Sequence, residues 1–459
     1  MEDIFTKQKK TLAIILVTSF ITTFMGSAIN LSIPKIETDF NASAAQVSWV
    51  ITSYMLTSAA LCVPFGKISD TISLKKVECA GLALFSIGTF MGCVAGSILF
   101  LLLSRVVQGI GAAIVFSSNL PIGISIVEES QKSKLIGYVT ASNYLGLSLG
   151  PVVGGILNNN FGWKSIFVVT AIITVFTFCG AIKVLPKVKK NTDEKLKEIL
   201  PLKETILYIV SICILMYGLS SISVSVVSWL YIIIGIISFI AFVILTLKAD
   251  KPLIDLRNIQ KNRPYVFANI AAMLNYGVIF VTSYLLSLYL QYIKGYSSQK
   301  AGFILVLAPI FQAVLSPFAG KLLKKYTPQK ISSIGALMCG SICGLLCFIK
   351  KGTSIPYLAF LLIIEGIACA LFSAPNTAEV FRLSKDNNYG VTSSILSTMR
   401  SLGHSLTMAI VAMVTGIFIG TATLAGQSVS IIVKIIKFCF YITTGIAIVG
   451  FFMVKKHKA

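Results

Sequence analysis

The 459-residue chain is 56% hydrophobic and only 12% charged, with a mean hydropathy of +0.86. Soluble proteins carry about 25% charged residues, so this composition excludes a soluble enzyme and points to a helical protein that spans a membrane many times. The net charge of +22, from 39 Lys and Arg against 17 Asp and Glu, is scattered between apolar blocks with no base-reading motif, and so reads as membrane topology rather than nucleic-acid binding.

Apolar blocks fall at approximately 11–33, 46–66, 77–98, 99–124, 136–158, 163–185, 204–221, 226–247, 266–292, 299–319, 330–349, 354–378, 389–418 and 431–454. Each is about the 20 residues that a helix needs to cross the hydrocarbon layer, which predicts fourteen spans in an all-α polytopic membrane protein. The first block, Leu12 to Ile33, is longer than a signal-peptide core and lacks a small-residue cleavage site, so it is expected to remain as span one. With the N-terminus inside, most Lys and Arg lie in inner loops, as the positive-inside rule requires. One span more or fewer would move the basic stretch Lys183–Lys203 or Lys248–Arg263 to the wrong side, which favours an even count with both termini cytoplasmic. The expected location is the plasma membrane, in multi-pass form.

The two long inner loops, Lys187–Lys203 and Lys248–Arg263, bracket spans seven and eight. The predicted organisation is an N-terminal six-helix bundle (1–185), linkers with two inserted helices (186–263), and a C-terminal six-helix bundle (264–459). Pro64-Phe65-Gly66-Lys67 at the end of span two is echoed by Pro317-Phe318-Ala319-Gly320-Lys321 at the end of span ten, as a parallel repeat would produce, with a substrate cavity near the midplane. No loop holds a phosphate-binding Gly-x-x-x-x-Gly-Lys-[Ser/Thr] sequence, so energy is expected from a gradient rather than from ATP.

Four motifs carry the chemistry. The loop after span two reads Gly66-Lys-Ile-Ser-Asp70-Thr-Ile-Ser73-Leu-Lys75-Lys76: a small residue for close packing, a carboxylate suited to a helix N-terminus, and inner-face lysines. Span four contains Arg105-Val-Val-Gln108-Gly109-Ile-Gly111, and span five contains Gly146-Leu-Ser-Leu-Gly150-Pro151-Val-Val-Gly154-Gly155, whose glycines clear one helix face while Pro151 removes a backbone donor. Span thirteen contains Thr398-Met399-Arg400-Ser-Leu402-Gly403.

These stretches, with Trp49–Leu56, Trp163–Phe167 and Pro252–Leu256, resemble the fourteen-span drug:proton antiporter family of the major facilitator superfamily. The resemblance implies two six-helix bundles plus two extra helices that alternate access to a central site. The span-five glycines and proline suit a bent helix able to pack against the opposite bundle, a hinge that the family associates with exporters and exchangers, so the resemblance also implies that the protein exports amphipathic or cationic organic compounds or drugs in exchange for protons. The family usually carries an acid in span one, within Asp-x-x-x-x-Asn-x-x-x-Pro; here Asn30 and Pro34 are present, but the acidic position is Met25. A thioether carries no proton, which keeps open an uncoupled uniporter, an exporter of a specific metabolite or lipid, or a receptor or scaffold that does not transport.

Glu365 in span twelve reads as the only carboxylate deep inside any span, with the other sixteen acids in loops or at span ends. Surrounding hydrocarbon favours the protonated form of a carboxyl and a nearby cationic substrate favours ionisation, so Glu365 is the first candidate for proton coupling, with Arg400 as a possible ion-pair partner. Arg105 and Arg400 would each cost at least about 2.5 kcal/mol at a span centre unless given a partner or water. His404, four residues after Arg400, shares its helix face and is a candidate relay. Asn30, Tyr54, Asn143, Tyr144, Asn275 and Tyr276 are candidates for the substrate cavity because each puts a polar group within a span. Cys339, Cys343 and Cys347 read as a small-residue packing face; no disulfide framework, metal or cofactor is expected. The expected partners are a small-molecule substrate, protons and the lipid bilayer around a monomer.

Overall fold

A computed structural model describes residues 8–42, 44–186, 200–220, 227–250, 252–384, 389–419 and 427–455. Among the described residues, fourteen long helices account for the fourteen apolar blocks: α1 (Lys9–Ala28), α2 (Ala44–Thr71), α3 (Leu74–Cys93), α4 (Ile98–Ile126), α5 (Glu129–Phe161), α6 (Lys164–Val184), α7 (Leu202–Ser220), α8 (Val227–Lys248), α9 (Arg263–Leu288), α10 (Gln299–Leu322), α11 (Pro328–Leu346), α12 (Ile355–Leu383), α13 (Tyr389–Ile419) and α14 (Val429–Lys455). No strand occurs among the described residues. In hydrocarbon every backbone polar group must find its partner within the segment, which is why the apolar blocks are helical. Thirteen of the helices are long and apolar enough to cross a membrane; the exception, α5, is the longest at 33 residues, its hydropathy lowered by glycines and asparagines. It ends at Gly162, whose φ of 79° lies in the left-handed region that glycine enters without strain.

The chain forms two compact units, one of Met1–Ile209, Phe242–Asp255 and Ser384–Thr398, the other of Val210–Ala241, Leu256–Leu383 and Met399–Ala459. In the first unit α3 packs on α4 and α6, α4 on α2, and α1 on α5 and α6. In the second, α11 packs on α12 and α14, α12 on α10, and α9 on α14, while Gly277 of α9 abuts Gly403 of α13. Each pairing of the first unit thus recurs eight helices later, the repeat suggested by the Pro-Phe echo. Pro64 and Pro317 occupy matching places inside α2 and α10.

Within the first unit, buried Glu204 at the start of α7 accepts the backbone N–H of Leu253 at 2.9 Å, tying the start of α7 to the segment that follows α8. Most of the loop Lys187–Lys203 lies outside the described residues. On α8 few residues are buried, and Trp229, Ile233, Ile236, Ile237, Ile240 and Ile244 form an exposed apolar surface suited to lipid.

Candidate functional site

The first unit is built around Arg105, which is fully buried in α4. Its Nε donates to the carbonyl of Val50 at 2.9 Å, its Nη1 donates to Gln108 Oε1, and its guanidinium lies 4.4 Å over the ring of Tyr54. Gln108 passes the network on to Thr89 at 2.8 Å, and the Tyr54 hydroxyl donates to the carbonyl of Thr22 at 3.0 Å. Stacking and hydrogen bonds offset the cost of carrying a guanidinium into hydrocarbon. Gly109 makes the geometry possible, because a Cβ there would lie 2.9 Å from the carbonyl oxygen of Tyr54. Arg105 Nη2 is buried with no hydrogen-bond partner among the described residues, leaving its two N–H groups for a further acceptor.

The glycine face of α5 meets α1 of its own unit. A Cβ on Gly146 would strike Thr23 and the Phe20 carbonyl, one on Gly150 would strike Ser27, and one on Gly154 would lie 2.6 Å from the Ala28 carbonyl. The stripe brings α5 onto α1, since cleared glycine faces allow a neighbouring backbone to approach. Pro151 lies within α5, half-buried like Gly155. Met25, at the family's acidic position, is wholly buried in the apolar core of this unit. Tyr144 is buried and Asn143 half-buried on α5. The side chains of Asn30 and Pro34 lie outside the described residues.

At the inner end of the same unit, the two carboxylate oxygens of Asp70 accept the backbone N–H groups of Gly390 and Val391, each at 2.8 Å. A carboxylate on the free donors of a helix's first turn is stabilised by both hydrogen bonds and the helix dipole. Gly66 and Gly390 let the backbones cross: a Cβ on either would come within 2.8 Å of the other's carbonyl oxygen. Ser73 has φ of −57°, outside the left-handed region, so this turn does not require glycine. Lys75 donates to the carbonyl of Leu185 at the end of α6 at 2.8 Å, and Lys76 is exposed.

In the second unit, two rungs connect α9 to α13. The Arg400 guanidinium lies 4.6 Å over the Tyr276 ring, and one turn further His404 stacks on Phe280 with ring centroids 4.4 Å apart. The Gly277–Gly403 contact sets the helices close enough for both. Asn275 is buried with neither amide atom hydrogen-bonded among the described residues. Glu365 is only 5% exposed and so does not face lipid. It shares a helix face with Leu358, Leu361, Leu362 and Cys369 of the apolar core, close enough to Cys343 and Cys369 for electrostatic interaction. Cys343 also contacts Thr282 at 3.5 Å and Cys347 contacts Thr444 at 3.6 Å, so the cysteine face of α11 packs on α9 and α14.

A sequence profile of the Major Facilitator Superfamily matches residues 15–246 and 268–456. The chain belongs to this superfamily. The riboflavin transporter RibZ of Clostridioides difficile is 30% identical to this transporter over 399 residues, covering 86% of the chain and 85% of the relative. The multidrug resistance protein Stp of Mycobacterium tuberculosis is 25% identical over 398 residues, covering 83% and 71%. The human organic anion transporter MFSD10 (TETRAN) shares its fold, with a TM-score of 0.72 across 97% of this chain and 99% of that one, at 14% identity. The major facilitator fold accounts for the two sets of six helices and their repeated pairings.

Sequence reasoning passed over the burial of Glu78, Glu204 and Glu379. Glu78 falls at a span end in the sequence, yet it is fully buried in α3, with Oε2 2.6 Å from the hydroxyl oxygen of Ser118. The signal was present: Glu78, Gly81, Leu82, Phe85 and Gly88 recur at helical spacing on the buried face of α3.

Proposed function

We propose that this transporter exports amphipathic, aromatic organic compounds from the cytoplasm by alternating access, in exchange for protons. The observation carrying the reading is the α5 glycine face seated on α1, because the sequence that forms it, Gly146 to Gly155, is the stretch that resembles the antiporter signature. A relative named for multidrug resistance favours the same direction and breadth. Glu365 is the coupling carboxyl of the second unit: it is buried without a hydrogen-bond partner among the described residues, a setting in which gain or loss of a proton changes the packing energy of the core. Arg400 and His404 adjust the cationic side of that unit, and Arg105 with Gln108 does so in the first.

A second reading, an uncoupled carrier for a flavin-like metabolite, is favoured by Met25 at the family's acidic position and by the relative named as a riboflavin transporter. Proteoliposomes loaded with ethidium or riboflavin, with the lumen standing for cytoplasm, separate the two. Faster efflux when the outer medium is acidified supports proton antiport, and downhill efflux of riboflavin indifferent to pH supports the uncoupled carrier.

A further inference from the structure

Four consecutive residues of α4 reach four different helices of the first unit. The Phe116 carbonyl accepts the hydroxyl of Ser393 on α13 at 2.6 Å, and Ser117 pairs with Ser69 on α2 at 3.0 Å. Ser118 pairs with Glu78 on α3 at 2.6 Å, and the Asn119 amide donates to the Ile15 carbonyl and Ser19 hydroxyl of α1 at 3.0 and 2.7 Å. Pro121 follows within α4 and supplies no N–H for the carbonyl of Ser117, so this part of α4 already departs from a uniform ladder.

The contacts around Ser118 bear on where a proton sits. Its hydroxyl oxygen lies 2.6 Å from Glu78 Oε2 and 2.8 Å from the carbonyl of Ile114, but a serine has a single hydrogen to give. If Glu78 were ionised, that hydrogen could satisfy either the carboxylate or the carbonyl, and a charge would sit at 0% exposure with Oε1 unpartnered among the described residues. If Glu78 holds a proton on Oε2, it donates to Ser118, Ser118 donates to Ile114, and both contacts are explained. The charged or titratable groups nearest this level on the elements packed against it are Cys62, Lys67 and Asp70 on α2 and Cys179 and Lys183 on α6, with Lys75, Lys76 and Cys79 on α3 itself. Asp70 is engaged by α13 and Lys75 by Leu185. Arg105 of α4 is about 20 Å further along the helix, at 1.5 Å per residue.

We propose that Glu78 is a proton-binding site of this transporter, protonated in the arrangement seen here and exchanging its proton with cytoplasmic water when the inner ends of α2, α3, α4 and α13 part. Glu78 is the fifth residue of α3, about 6 Å from its inner end at 1.5 Å per residue, so the exchange path is short. The step is a proton transfer alone: water supplies the proton to the carboxylate, and the carboxylic acid returns it. The site would give the N-terminal half the proton carrier that Met25 cannot be. This deepens the proton-antiport reading and rests on it.

Infrared spectra of the full chain in lipid bilayers at neutral pH test the protonation independently of transport. The carboxylic-acid C=O band should lose one component in Glu78→Gln, and in Ser118→Ala the same component should shift to the frequency of a more weakly hydrogen-bonded acid. No lost component in Glu78→Gln, or no shift in Ser118→Ala, overturns the proposal, and the second variant decides if the first fails to fold. In ethidium-loaded proteoliposomes, Glu78→Gln should lose most of the acid-driven efflux and its pH dependence while ethidium exchange without a gradient persists. Unchanged acid-driven efflux in Glu78→Gln would reduce Glu78 to a packing residue and overturn its role. If the native chain shows no acid-driven efflux, antiport itself fails, whereas the infrared result still decides whether Glu78 carries a proton.

Discussion

The guanidinium of Arg105 lies 4.4 Å over the ring of Tyr54, in the core of the first unit. The second unit repeats the relationship between Arg400 and Tyr276 at 4.6 Å, so each holds an intramembrane arginine on a tyrosine face. A planar guanidinium can stack and still donate sideways, as Arg105 does to Val50 and Gln108; an ammonium cannot reproduce that geometry. Arg105→Lys should therefore fold and reach the membrane yet lose most transport, measured as ethidium efflux at matched protein levels. Wild-type efflux in the lysine variant would contradict this role.

The crossing of α2 and α13 gives a prediction on stability. Asp70→Asn keeps the shape but removes the charge from two helix-terminal hydrogen bonds, and should cost about 1.5–3 kcal/mol, the range for bonds to charged groups. Gly66→Leu should cost more, since the added side chain meets Ser394 and the Gly390 backbone. Thermal unfolding in nanodiscs measures both, and equal melting temperatures for native and variant chains would sink the assignment.

On α5, Gly150→Ala adds one methyl group against Ser27 and the backbone of Ala28, and overpacking of this kind costs about 1–3 kcal/mol. Gly155→Ala should cost less, because Gly155 is half-buried rather than buried. The order of melting temperatures checks the orientation of the glycine face.

Replacing Cys339, Cys343 and Cys347 together by alanine should preserve transport. Thr282 keeps its 2.8 Å bond to the Val278 carbonyl without Cys343, and Thr444 keeps its own to Phe440 at 2.8 Å, so no buried hydroxyl is orphaned. A loss of transport without a loss of folding would show that the thiols near Glu365 take part in its chemistry.

Span number and order were legible because hydropathy and loop charge report the two constraints a bilayer imposes most strongly. Even α5, less apolar than the rest, was found between its flanking polar turns. Partners were not legible: the glycines of α5 announce close packing, but nothing in Gly146–Gly155 says that α1 receives them. Glu78 stands at the edge of its apolar block in the sequence, whereas the helical period it shares with Gly81, Leu82 and Phe85 places it on the buried face of α3. Glu365 was recognised as intramembrane; that it lies on the core stripe of α12 with Leu361 and Cys369 follows from the same periodicity, applied to that helix.

The central claim, that substrate movement and proton movement are one process, is tested most directly by proton uptake. Proteoliposomes loaded with ethidium and a lumenal pH indicator, with equal pH on both sides, are diluted into ethidium-free medium. Coupled exchange predicts that the lumen acidifies as ethidium leaves, and that Glu365→Gln abolishes the acidification. Ethidium leaving at the native rate with no change in lumenal pH would contradict the account.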